Sequence, residues 1–165
     1  MKQNILFKTL IDLLFFIQCF GLIGVIVILP SNLGTISQAE VQVVNWNFNH
    51  WCIFIISSLS YILFLIGLYY LRKMARNQLS NRPYENSVST NLKKSGSFFI
   101  ANGILSILAI VIVFIIRLTN NKLQFTYDEN TQFSVFAIII GLFFIIQSNT
   151  IKKAKELKQE NDLTV

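Results

Sequence analysis

Four apolar runs, each about long enough to cross a bilayer, fill roughly half of this chain, at residues 10–29, 52–71, 97–116 and 132–147. A helix rises about 1.5 Å per residue and the hydrocarbon core is about 30 Å thick, so about 20 residues span it. A soluble chain of 165 residues has no way to bury four such cylinders. The expected fold is therefore an all-α membrane protein, a four-helix transmembrane bundle in one integral domain. Charged residues are 13% of the chain, about half the usual share for a soluble domain.

The position of the basic residues gives the orientation. All but two of the 14 Lys and Arg residues fall on one expected side: Lys2, Lys8, Arg72, Lys73, Arg76, Arg82, Lys93, Lys94, Lys152, Lys153, Lys155 and Lys158. The exceptions are Arg117 and Lys122. The positive-inside rule then puts both termini, the loop 72–96 and the tail 148–165 in the cytoplasm. The net charge of +6 thus encodes topology and weak attraction to anionic lipid, and direct nucleic-acid binding is not expected. Lys2, Lys8 and the first apolar run also allow a signal-peptide reading with cleavage after Ala39. The run is too long and Ala39 too distant from it, so an uncleaved first helix is expected.

The loops differ in character. Pro30-Ser31-Asn32 ends the first helix. Val41, Val43, Trp46 and Phe48 then place apolar side chains largely at alternate positions, and Leu123, Phe125 and Tyr127 repeat the pattern in the second external loop. Such alternation suits two short strands pairing into a small external β element, and equally an aromatic belt of Trp46, Phe48 and Trp51. On the basic side, residues 77–94 read as a flexible polar loop. Ile151, Ala154 and Leu157 recur every third residue, which extends the last helix out of the membrane or along its surface.

Lipid tails are as apolar as Leu, so helix association rests on small residues and a few polar contacts. Gly21 and Gly24 serve helix 1, and Ser57, Ser60 and Gly67 serve helix 2. Helix 3 offers Asn102, Gly103, Ser106 and Ala109; helix 4 offers Ser134, Ala137, Gly141 and Ser148. Counting by helix rise places Gln18, Ser60, Tyr61 and Ser106 at one level near mid-membrane. Polar groups there either join helices or line a path for a small ligand. Asp12 is the only acid within the apolar spans. It either pairs with Lys8 one turn earlier, or latches internally onto Asn102 or Arg72.

Nothing spells out a reaction. His50, the single histidine, with Cys52, Asp128 and Glu129 has ligand chemistry suited to a transition metal, but the spacing matches no closed site. Cys19 and Cys52 differ by roughly 15 Å in depth, too far for a disulfide. No catalytic residue, metal or cofactor site is expected, and no oligomeric state follows from these residues.

The four spans and the ending Glu156-Leu157-Lys158-Gln159-Glu160-Asn161-Asp162-Leu163-Thr164-Val165 resemble, over nearly the whole chain, the bacterial family called domain of unknown function 2975. The resemblance implies a protein of the bacterial cytoplasmic membrane, and a gene neighbour encoding a small helix-turn-helix regulator. It supplies no activity and no catalytic residues. Two readings follow. One is a sensory or regulatory partner of a cytoplasmic regulator, with Leu157 and Leu163 of the tail making the contact. The other is a small transporter or pore subunit that uses the mid-membrane polar level.

Overall fold

A computed structural model describes the backbone over residues 2–28, 48–79, 86–119 and 129–163, and side chains over 5–24, 51–78, 86–116, 118–119 and 131–161. The described residues form four α-helices: α1 (Lys2–Ile28), α2 (Phe48–Leu79), α3 (Asn86–Thr119) and α4 (Glu129–Leu163). Each is long and apolar enough to cross a membrane. The chain is thus an integral membrane protein, with four such helices among its described residues. In lipid a backbone satisfies its polar groups internally or not at all, which makes helices of these Ile, Leu and Phe runs despite their β-branched content.

One expectation needs correction at the helix ends. Of the stretch 77–94, read as a flexible loop, residues 77–79 and 86–94 are helical: α2 runs on to Leu79 and α3 begins at Asn86, and 80–85 lie outside the described residues. Polar composition alone misled there, because the helices continue through mutual packing. The strand pattern at 41–47 and 123–127 lies outside the described residues. At its edge, Phe48 and Trp51 open α2, and the described residues include no strand.

The helices lie in series. Among the described residues, close backbone approach joins α1 to α2, α2 to α3 and α3 to α4, and no other pair. Both inner seams repeat every seven residues with opposite chain directions. On α3, Ser89, Gly96 and Gly103 meet Ser148, Gly141 and Ser134 of α4. On α2, Ser60 and Gly67 meet Asn102 and Ser95 of α3. A contact line sustained at seven residues is the signature of left-handed helix packing.

The core gathers toward the basic end. Ile11, Leu68, Leu71, Met74, Ala75, Val88, Leu92 and Phe99 form one buried cluster, with Phe15, Phe64, Ile140, Phe144 and Ile151 packed against it. Phe64 reaches across to Phe133 and Phe99 to Phe144, so α2 and α4 touch through rings. A helix of 34 residues is about 51 Å long against a core of about 30 Å, and the surplus lies mostly at the basic end.

Candidate functional site

The mid-membrane polar residues separate into two clasps on opposite sides of α2. Ser60 turns toward α3, where its Oγ lies 2.6 Å from Ser106 Oγ, 2.7 Å from Asn102 Oδ1 and 3.2 Å from the Asn102 carbonyl. One hydroxyl has one proton. The consistent arrangement has Ser106 donating to Ser60, and Ser60 donating to Asn102. Tyr61, the next residue, turns toward α1 and donates to Gln18 Oε1 at 2.5 Å, with the Gln18 carbonyl at 2.9 Å. Gly21 makes room for this contact, since a Cβ there would lie 2.5 Å from the Tyr61 hydroxyl. The four groups expected at this level are thus brought together in two sets, with Asn102 joining Ser60 and Ser106, and each set is occupied by its own hydrogen bonds. Such bonds contribute about 0.6 kcal/mol each on average in a bilayer.

Asp12 takes the internal partner rather than Lys8. Its Oδ1 lies 2.5 Å from Nε of Arg72 on α2, and the two side chains are about a quarter exposed. Phe15 and Phe16, on the next turn of α1, put their ring centroids 5.3 Å from the Arg72 guanidinium carbon. A planar guanidinium suits both a carboxylate edge and an aromatic face, whereas the ammonium of Lys8 suits neither as well. Asn102, the other partner considered for Asp12, is committed to Ser60.

Gly141 stands at the closest backbone crossing. A Cβ on it would lie 2.7 Å from the Gly96 carbonyl oxygen, and one on Gly96 would lie 2.5 Å from that of Gly141. Reading 72–96 as a loop hid the basic-end part of the α3 side of this seam, Ser89 and Gly96. Their spacing of seven from Gly103 was the available signal.

At the basic end α4 continues unbroken past the bundle. Ser89 and Ser148 exchange hydrogen bonds between side chains and carbonyls at 2.8–2.9 Å. Asn77 donates to Ser87 at 3.2 Å, and Lys155 donates to Asn86 at 2.8 Å. Next to that tie Leu157 is 61% exposed. The side chain of Leu163, although its backbone ends α4, lies outside the described residues, as do those of His50, Asp128 and Glu129. No cluster of metal-ligating side chains occurs among the described residues.

A family model described as Protein of unknown function (DUF2975) matches residues 34–165, which leaves α1 ahead of the matched range and narrows the near-complete resemblance read from the sequence. No curated protein and no solved structure matches the chain.

Proposed function

The chain belongs to the DUF2975 family, proteins of unknown function, and from that premise we propose that it is a non-enzymatic membrane regulator whose basic end docks a soluble partner. The basic end faces the cytoplasm of a bacterial cell in this reading, by the positive-inside rule, with both termini on that side. The observation that carries it is the continuity of α4 from Glu129 to Leu163. The membrane segment and the tail are one rigid rod, anchored to α3 at Ser148 and Lys155. A shift of the bundle therefore moves the tail, and Leu157 on that tail is free to bury apolar area against a partner at roughly 25 cal/mol per Å². A helix-turn-helix regulator, the neighbour implied by the family resemblance, is the partner of choice. The transporter reading is weaker, because Gln18, Ser60, Tyr61, Asn102 and Ser106 are engaged with one another rather than presented to a path.

A crosslinking pull-down from native membranes tests the proposal. The intact chain is expected to recover a soluble regulator. Deletion of residues 156–165 leaves membrane insertion unchanged and abolishes the recovery, and Leu157→Ser with Leu163→Ser reproduces most of that loss. Equal recovery without the tail, or no soluble partner of the intact chain, overturns it.

A further inference from the structure

Asp12–Arg72 and Lys152–Glu156 are ion pairs. Lys73 and Lys94 enter neither and are both exposed, although they sit where helices emerge from the apolar core. Ser95 donates to the Gly67 carbonyl, so the neighbouring Lys94 lies level with Leu68, about 7.5 Å deeper than Lys73. Helical side chains lean toward their own N-terminus. α3 begins at the basic end and α2 finishes there, so Lys94 leans outward and Lys73 leans inward, toward one another.

They lean toward the seam between α2 and α3. Tyr70 and Lys73 share a stripe of α2 with Asn77; Asn91, Lys94 and Phe98 share a stripe of α3 with Ser87. The Asn77–Ser87 hydrogen bond closes the outer end of this seam. The inner end is floored by Tyr70 stacked on Phe98, with ring centroids 5.6 Å apart and planes within 8°. Lys94 Nζ stands 5.4 Å from the Tyr70 centroid. Between the two ends, Asn91 is 6% exposed and takes part in none of the hydrogen bonds found among the described residues. Two cations outside any ion pair, one amide without a hydrogen bond and an aromatic floor therefore occupy one short groove at headgroup depth.

We propose that this seam binds the phosphate of an anionic phospholipid. Lys73 and Lys94 supply the charge, Asn91 an N–H donor, and the Tyr70–Phe98 stack a contact for the glycerol and upper acyl chain. Arg72 takes no part, because it faces α1 and is neutralised by Asp12. A lipid fits better than a soluble anion because the seam's inner end, at the Tyr70–Phe98 stack, lies inside the apolar runs 52–71 and 97–116.

The full-length chain, purified in detergent, is titrated with phosphatidylglycerol and phosphatidylcholine and read by native mass spectrometry and thermal melting. One phosphatidylglycerol is expected to survive activation that strips phosphatidylcholine, and it alone should raise Tm. Lys73→Gln with Lys94→Gln should weaken retention about 30-fold, from two near-surface cations, while Lys152→Gln with Lys153→Gln leaves it within about twofold. Asn91→Ala, which changes no charge, should also weaken it, and Lys73→Arg with Lys94→Arg should preserve it. Should the glutamine double variant fail to fold, the Asn91→Ala and wild-type lipid comparisons decide the question. Equal retention of the two lipids, equal losses from the two double glutamine variants, or displacement by glycerol 3-phosphate without acyl chains overturns the proposal.

Discussion

Adding one methyl group at residue 141 reverses an ordinary rule. Glycine inside a helix usually costs about 0.5–1 kcal/mol relative to alanine, so Gly→Ala should stabilise wherever space is open. At Gly141 the new Cβ would meet the Gly96 carbonyl oxygen at 2.7 Å and the Ile100 nitrogen at 3.0 Å, both backbone atoms that yield only if the helices separate. Gly141→Ala should therefore lower the melting temperature in detergent, at about 1–3 kcal/mol of overpacking cost, and Gly141→Leu more so. Gly67→Ala should cost less, because its nearest obstacle is the side chain of Phe99 at 3.1 Å. Phe136→Leu, on the exposed face of α4, is the neutral control. Phe144, although also large, is unsuitable as a control, since it packs on Phe99. If Gly141→Ala melts like Phe136→Leu, the inward face of α4 has been assigned wrongly.

At the scale of elements, α1 is the helix with least support, touching only α2 by backbone approach. Its ties are Gln18 to Tyr61, Asp12 to Arg72, and Ile11 in the core. A double-mutant cycle of Asp12→Asn and Arg72→Gln, read by chemical unfolding in mixed micelles, should return a coupling of about 1 kcal/mol. A coupling indistinguishable from zero would mean that the ion pair does not hold α1. Helix α4 makes the opposite case, being one rod through bundle and tail. Asn149→Pro removes a backbone donor and clashes one turn back, at about 3 kcal/mol in a helix interior. It should make the segment after residue 150 sensitive to limited proteolysis while the membrane helices persist; a tail that stays protected would show that its order does not depend on α4. These elements also show what the sequence made legible. Apolar length is a property of contiguous residues, so the four spans could be read directly, as could the small-residue stripe of α4. Partner choice is a property of two distant segments. The sequence therefore offered Asp12 Lys8, Asn102 and Arg72 alike, and polar composition at 77–94 concealed helices that Ser87 and Ser89 tie to their neighbours.

For the whole molecule, serial contact has a consequence for how orientation can be tested. Each helix packs on its sequence neighbour, so every seam is antiparallel and the even number of spans returns the chain to its starting side. The basic residues then decide which side that is. Ten of the twelve on the majority side follow the first span, so inverting the protein would carry two dense cationic clusters, around Arg72–Lys94 and Lys152–Lys158, across the bilayer. Lys and Arg each cost roughly 2.5–3.5 kcal/mol at the centre of an inserting helix. Reversal by a single substitution is not expected. With Cys19 and Cys52 replaced by serine, single cysteines at Gln38 and Lys122 should react with an impermeant maleimide in intact cells. Cysteines at Asn86 and Asn161 should react only after permeabilisation. Labelling at Asn161 in intact cells, with Gln38 protected, would invert the protein and place the tail where no cytoplasmic regulator could reach it. Labelling at Asn161 and Gln38 together would mean that the chain crosses an even number of times between them, and the helix that fails to cross would have to be found among α2, α3 and α4.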